Sequence, residues 1–166
     1  SRKALKSASV DGMLFLSEGG EVIHGEFLDR RKSLDEIPSP YLEGLLDPFF
    51  DGLLSPILET NRGCPFACTF CHEGSLVMNK VNYFPLDRVL AELDYVAERV
   101  PGNVSNLMFT DPNFAMYERD LEVCEHIARL QSKYGWPRSI FASTGKNKKD
   151  RIAKATGMLN GSLKMW

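Results

Sequence analysis

Residues 57–71 read ILETNRGCPFACTFC, and this stretch joins a short apolar segment to a run of cysteines. The cysteines are Cys64, Cys68 and Cys71, so their spacing is C-x3-C-x2-C. Thiolates at such short spacing are typical ligands of zinc and of iron–sulfur clusters. A [4Fe–4S] cluster has four irons, so three protein thiolates would leave one iron open to a small molecule.

Other sites fit parts of the same run. Cys68 to His72 spells the C-x-x-C-H pattern of haem attachment, but that interpretation leaves Cys64 unexplained. A Cys3His zinc site is a second alternative, although the neighbouring side chains of Cys71 and His72 would usually point apart. A disulfide would leave an odd thiol and suits small secreted domains better. We therefore interpret His72 as a neighbour that tunes a cluster, and the distant Cys124 as a small buried hydrophobe in a helix.

The composition is that of an ordinary globular domain. The chain has 166 residues, of which 43% are hydrophobic and 25% charged, with a net charge of −2 and a pI near 5.9. This charge balance gives no excess of basic residues that would indicate nucleic-acid binding. No apolar run approaches the length of a membrane span. Unpaired clustered cysteines indicate a reducing, cytoplasmic setting. Because Ser1 is not methionine and Trp166 ends an apolar alternation, we expect a piece of a longer protein.

The sequence predicts three segments. Residues 1–32 read as a β-hairpin, since apolar runs flank a turn with a double glycine. Residues 33–56 form a connector with four prolines, which we expect to cross the surface of a neighbouring domain. Its apolar side chains need a packing partner; they are Leu42, Leu45, Leu46, Phe49 and Phe50.

Residues 57–166 alternate between strand and helix patterns. Strands are predicted at 57–60, 104–110, 139–142 and the chain end. Helices are predicted at 85–100, 121–134 and 148–156, and Pro85 is expected at the first helical position of the first of them. Such alternation indicates parallel βαβ units with right-handed crossovers. The predicted fold class is therefore α/β, either an open doubly wound sheet or a barrel.

Polar residues follow each predicted strand. The cysteines come after the first strand, Asp111 and Asn113 after the second, and Ser143, Thr144 and Lys146 after the third. Because the carboxyl ends of parallel strands meet at one face, where α/β sites form, we expect these groups to converge.

The C-x3-C-x2-C spacing, with Phe70 before the last cysteine, resembles the signature of the radical S-adenosylmethionine superfamily. The resemblance implies a [4Fe–4S] cluster on Cys64, Cys68 and Cys71. It also implies S-adenosylmethionine chelated at the open iron and cleaved to a 5′-deoxyadenosyl radical. Residues 57–166 would be the first half of a partial (β/α)6 TIM-like barrel, from the first strand to about the start of the fourth.

Two further stretches resemble the class of this superfamily that is linked to a cobalamin-binding domain. Asp111-Pro112-Asn113-Phe114 resembles its Asp-x-Asn-Phe variant, which implies that Asp111 contacts S-adenosylmethionine; the alternative for Asp-Pro-Asn is a simple turn. Phe70 matches the family's aromatic residue beside the third cysteine, which implies a contact near the adenine. Asn113 and Ser143 are the other expected cofactor-binding residues. Residues 34–42 resemble the segment that links the two domains. The cobalamin fingerprint Asp-x-His-x-x-Gly is absent, so any cobalamin would bind to a domain outside this sequence.

The expected function is radical chemistry on an unknown small-molecule or biosynthetic substrate, such as cobalamin-dependent methylation or cyclisation. A reductant such as flavodoxin or ferredoxin would be a partner, nucleic acid would not, and the segment alone is expected to be inactive. The alternative is a non-catalytic module that holds a structural zinc or iron ion. Gly63 is expected to have a positive φ at the turn into the cysteines, and Pro65 to stiffen the loop.

Overall fold

The first compact unit of the chain carries a β-hairpin. The computed structural model describes residues 9–29, 31, 33–75, 78–144 and 147–165. The chain divides into two compact units, Ser1–Lys32 and Ser33–Trp166. In the first unit, β1 (Leu14–Leu16) pairs antiparallel with β2 (Val22–His24). The turn between them is closed by the Gly20 amide, which donates to the Ser17 carbonyl oxygen at 3.1 Å, as the double glycine predicts.

The second unit is built on a parallel sheet. Its strand order is β3-β6-β7-β8, with β3 at Ile57–Leu58, β6 at Asn106–Phe109, β7 at Ser139–Ala142 and β8 at Leu163–Met165. The register pairs Leu58 with Phe109 and Leu107 with Ile140. These four side chains are buried, whereas the alternate residues Ile57 and Met108 are exposed. Because successive side chains of a strand point to opposite faces, the buried set forms the face that packs into the core. The predicted α/β class with parallel strands is confirmed.

Helices connect the successive strands of this sheet. They are α1 (Leu86–Arg99), α2 (Arg119–Tyr134) and α3 (Lys149–Met158). The apolar stripe of α1 enters the core through Val89, Leu93 and Val96, and that of α2 through residues that include the fully buried Cys124. The predicted burial of Cys124 is therefore confirmed. None of the described helices is long and apolar enough to cross a membrane.

The predicted helix ends are correct to within a few residues. Pro85 has φ −52° and ψ 137°, so it is the extended N-cap residue of α1 and not its first helical residue, which corrects the prediction by one position. At the C-terminal end of α2, Gly135 adopts φ 69° and its amide donates a hydrogen bond to the Gln131 carbonyl oxygen. A left-handed residue after the last turn is a common helix stop, and glycine adopts it without a Cβ penalty.

The connector packs on the core through only some of the residues that the sequence suggested. Leu46 and Phe50 pack against the core as predicted, and the buried Leu34 and Tyr41 join them. Leu42, Leu45 and Phe49 are exposed instead. The Tyr41 hydroxyl donates to the Ile57 carbonyl oxygen at 3.0 Å and accepts from the Ile57 amide at 3.2 Å. Tyr41 thus satisfies the outward backbone groups of the edge strand β3, which would otherwise be open to pairing.

Candidate metal and cofactor site

The three clustered cysteines lie in a loop whose two ends are joined by a short antiparallel ladder. β4 (Asn61–Arg62) precedes the cysteines and pairs with β5 (Asn82–Tyr83), which follows them. Next to this ladder, the Cys64 amide donates to the Met78 carbonyl oxygen at 3.0 Å. Strands of two residues carry no recognisable periodicity, so the sequence did not indicate this ladder.

The three thiols differ in their exposure. Cys64 is buried beside the ladder, whereas Cys68 and Cys71 are exposed further along the loop, and all three are free. The Cys71 amide donates to the Cys68 carbonyl oxygen at 3.2 Å, so these two cysteines flank one turn. His72 follows as the exposed first residue of a 3-10 turn that ends at Gly74.

Two glycines shape this loop. Gly63 has φ 101°, so the positive φ expected from the sequence is confirmed. Gly74 lies so close to the chain at Cys68 that a Cβ atom there would stand 2.4 Å from the Cys68 carbonyl oxygen. The loop therefore doubles back on itself in a way that only glycine permits at these positions.

Replacing Gly63 by alanine is expected to lower the free energy of unfolding by about 1–3 kcal/mol, because a side chain strains a backbone held at positive φ. Gly102→Ala is the matched control, since a Cβ there meets no atom within 4 Å. Urea unfolding of both variants measures the difference. Equal stability of the Gly63→Ala and Gly102→Ala proteins would contradict a strained conformation at Gly63.

Asp111 ties the end of β6 to the end of β3. Its carboxylate accepts hydrogen bonds from the Thr60 amide at 2.7 Å, the Thr60 hydroxyl at 2.6 Å and the Asn61 amide at 3.3 Å. The side chain is almost wholly buried, with 1% of the residue surface exposed. Asp111 is thus neither a simple turn residue nor open to solvent, and its contact with S-adenosylmethionine stays a prediction.

Burial dominates the electrostatics around Asp111. It raises the pKa of Asp111 to about 7, even though the hydrogen bonds from Thr60 and Asn61 favour the charged form. Burial also raises the pKa of Asp120, in the first turn of α2, to about 6. The pKa of Tyr117 is raised as well, chiefly by burial and further by Tyr83 and Cys64. Burial therefore favours the protonated forms of Asp111, Asp120 and Tyr117.

Asn113 contacts a cysteine directly. Its side-chain Nδ2 donates to Cys64 Sγ at 3.2 Å, and both residues are buried. Asp111, Asn113 and the cysteine loop are thus brought together at the carboxyl edge of the sheet, as the order of strands and polar residues predicted.

The other predicted site residues that the structure describes are less buried than Asp111 and Asn113. Ser143 is half-buried and its carbonyl oxygen accepts from the Phe114 amide at 2.9 Å, while the Phe70 ring is 92% exposed beside the last cysteine. Their contacts with S-adenosylmethionine stay predictions. Thr144 forms a parallel bridge with Phe114, and Lys146 lies outside the described residues.

The donor set of the cysteine loop fits an iron–sulfur group. Among the described residues, no three His, Cys, Asp or Glu side chains gather closely enough to hold a metal ion. The thiols are nevertheless free and soft donors of the kind that iron–sulfur clusters require. In the part of the chain that the structure describes, the buried polar atoms without a partner include Asn61 Oδ1, in β4 just before the cysteines, and Thr144 Oγ1, after β7. These atoms fit a polar ligand beside the cysteines, since buried polar groups normally find partners.

Sequence reasoning missed Thr60, Asn61 and Tyr117. The available signal for the first pair was the polar run Glu59-Thr60-Asn61, which directly follows the apolar Ile57-Leu58 strand at the carboxyl end where site residues lie. Tyr117 packs edge-on against Tyr83, with ring centroids 5.2 Å apart, and this contact spans residues that are distant in sequence. No local pattern could have revealed it.

The chain is similar in sequence to curated methyltransferases, although no family model matches it. It is 34% identical over 140 residues to the 2-(S-pantetheinyl)-carbapenam-3-carboxylate methyltransferase of Streptantibioticus cattleyicolor. It is also 34% identical over 140 residues to the cobalamin-dependent radical SAM methyltransferase TokK of Streptomyces tokunonensis. Each match covers 81% of this chain and 20% of the relative, so the chain spans about a fifth of their length.

The fold is similar to that of a solved enzyme. The cobalamin-dependent S-adenosylmethionine radical enzyme OxsB, determined with aqua-cobalamin and S-adenosylmethionine bound, superposes with a TM-score of 0.53 at 20% identity. The match covers 97% of this chain and 24% of that chain. At this identity the likeness shows a shared fold alone.

Proposed function

We propose, from the homology of this chain to cobalamin-dependent radical S-adenosylmethionine methyltransferases, that it is the cluster-binding part of such an enzyme. The observation that carries the proposal is the C-x3-C-x2-C loop at the carboxyl edge of a parallel sheet, within a chain 34% identical to these relatives over 81% of its length. The strands β3, β6, β7 and β8 would be the first strands of a (β/α)6 barrel, with 1–32 and 33–56 as the preceding hairpin and connector.

Cys64, Cys68 and Cys71 would hold a [4Fe–4S] cluster. When bound, this group supplies one electron for reductive cleavage of S-adenosylmethionine. The protein's own contribution is to hold the loop. The ladder of β4 and β5 fixes the loop ends, and Asp111 fixes the end of β3 from which the loop starts. Partnerless Asn61 Oδ1 would accept a hydrogen bond from the polar part of the bound cofactor.

Methyl transfer to a small biosynthetic molecule, with cobalamin as the second cofactor, is the reaction that the relatives favour. Cobalamin would bind outside this sequence, which lacks the Asp-x-His-x-x-Gly fingerprint. A flavodoxin or ferredoxin would supply the electron. The free thiols support a reducing compartment such as the cytoplasm.

Anaerobic reconstitution with iron and sulfide tests this proposal. The chain is expected to bind four irons, as the proposed cluster requires, and addition of S-adenosylmethionine should change the electron paramagnetic resonance signal of the reduced cluster. S-adenosylhomocysteine, which lacks the sulfonium, is the control for recognition of S-adenosylmethionine. A single bound zinc ion, with no iron retained, would instead favour the structural metal module and overturn the proposal.

A further inference from the structure

The hydrogen bond between Asn113 and Cys64 distinguishes this cysteine from the other two. The donor Nδ2 of Asn113 lies 3.2 Å from Sγ of Cys64, which is buried, whereas Cys68 and Cys71 are exposed to solvent. Water can therefore hydrogen-bond the two exposed sulfurs. The buried sulfur depends on protein donors, and Asn113 provides one.

The backbone around Asn113 is fixed on both sides. Two residues before it, the Asp111 carboxylate is bonded to Thr60 and Asn61. One residue after it, the Phe114 amide donates to the Ser143 carbonyl oxygen at 2.9 Å. The Phe114 ring also stacks on Phe109 in the core, with ring centroids 4.3 Å apart. Asn113 is thus held between the ends of β3 and β7 and cannot easily turn away from Cys64.

An amide side chain beside a thiolate has one favourable orientation. A deprotonated, iron-bound sulfur only accepts hydrogen bonds, so the Nδ2 group of Asn113 stabilises it while the Oδ1 atom would repel it. Hydrogen bonds to sulfur are among the factors that set the reduction potential of iron–sulfur clusters. The bond becomes stronger as the cluster gains an electron, because the sulfur then carries more negative charge.

We propose that Asn113 is a positioning residue that holds the Cys64 sulfur by its side-chain N–H and raises the reduction potential of the cluster. This role differs from the direct contact with S-adenosylmethionine that the sequence suggested for Asn113, and it rests on the proposed function of the three cysteines. Asn113 makes the reduced state of the cluster easier to reach without itself contributing a metal ligand.

The test is a redox titration of the reconstituted chain, followed by electron paramagnetic resonance. Asn113→Leu removes the donor and keeps a side chain of similar size, and Asn113→Asp keeps the shape while replacing the amide by a carboxylate. Asn103→Leu is the matched control, because its Nδ2 group donates to the Gly52 carbonyl oxygen in an exposed loop. Iron and sulfide content and circular dichroism are measured for every variant.

Both Asn113 variants are expected to retain iron. In each, the equilibrium constant for one-electron reduction of the cluster is expected to fall about threefold to tenfold. For a one-electron couple this shift is about 30–60 mV to more negative potential, with Asn113→Asp shifted further. Loss of iron from both variants, with native circular dichroism, would overturn the effect on the potential, because Asn113 would then be required to hold the cluster at all. An unchanged potential in both variants, in a wild type that binds the cluster, would overturn the role of Asn113 alone. A wild-type chain that binds no cluster would overturn the proposed function and this inference with it.

Discussion

Replacement of Cys64, Cys68 or Cys71 by alanine is expected to abolish cluster binding in each single variant, whereas Cys124→Ala should retain it. Three thiolates leave one of the four irons open, so the loss of any one leaves only two protein ligands for a four-iron group. Cys124 cannot substitute, because it is fully buried in α2 and burial raises the pKa of its thiol to about 12. Iron content and the visible absorbance of the reconstituted protein measure the effect.

The control within this series is the stability of the unliganded proteins. Cys68 and Cys71 are exposed, so their alanine variants should unfold at the same urea concentration as the wild type. Cys124→Ala should lower the free energy of unfolding modestly, by about 1 kcal/mol, through a small cavity in the core. Full iron retention in Cys68→Ala or in Cys71→Ala would show that the thiols do not act as one ligand set.

The second large effect concerns the pH dependence of stability. The free energy of unfolding is expected to fall by about 2–4 kcal/mol as the pH rises from about 4 to about 7. In the folded chain the pKa of Asp111 is raised to about 7, above its ordinary value of 3.8, so the folded state holds a proton that the unfolded state has released. Fewer protons on the unfolded chain mean that stability decreases with rising pH in this window and levels off above it. Asp120, with a pKa raised to about 6, contributes in the same direction.

Asp111→Asn isolates the contribution of Asp111. An asparagine can accept from the backbone amides of Thr60 and Asn61 through Oδ1 and donate to the Thr60 hydroxyl through Nδ2, so the bonding pattern survives without a charge. The variant should show a much flatter profile, with the slope due to Asp120 remaining. Asp35→Asn, at an exposed position, is the control and should follow the wild type. Urea unfolding between about pH 4 and about pH 8 measures all three, and a wild-type profile that rises with pH would contradict a protonated Asp111.

The amino-acid sequence alone determined the order of strands and helices. The apolar period of α1 and the Ser139–Ala142 strand could be read locally, because a helix or a strand in a packed sheet presents a repeating apolar pattern. The spacing of the cysteines also identified the candidate metal ligands locally, because a loop of a few residues leaves little freedom in where its thiols lie. The sequence also indicated that Asp111 and Asn113 would share an edge with the cysteines, since parallel strands end on the same side.

The roles of those polar residues were decided by the tertiary structure. Asp111 meets Thr60 across 51 positions of sequence, and Asn113 meets Cys64 across 49, so neither contact leaves a local pattern. The β4–β5 ladder and the Tyr41 cap on β3 are likewise pairings between distant segments. Local spacing fixes which face or loop a residue occupies. Its hydrogen-bond partner depends on how the strands pack, because a buried carboxylate or amide bonds to the polar group that the fold places within about 3 Å.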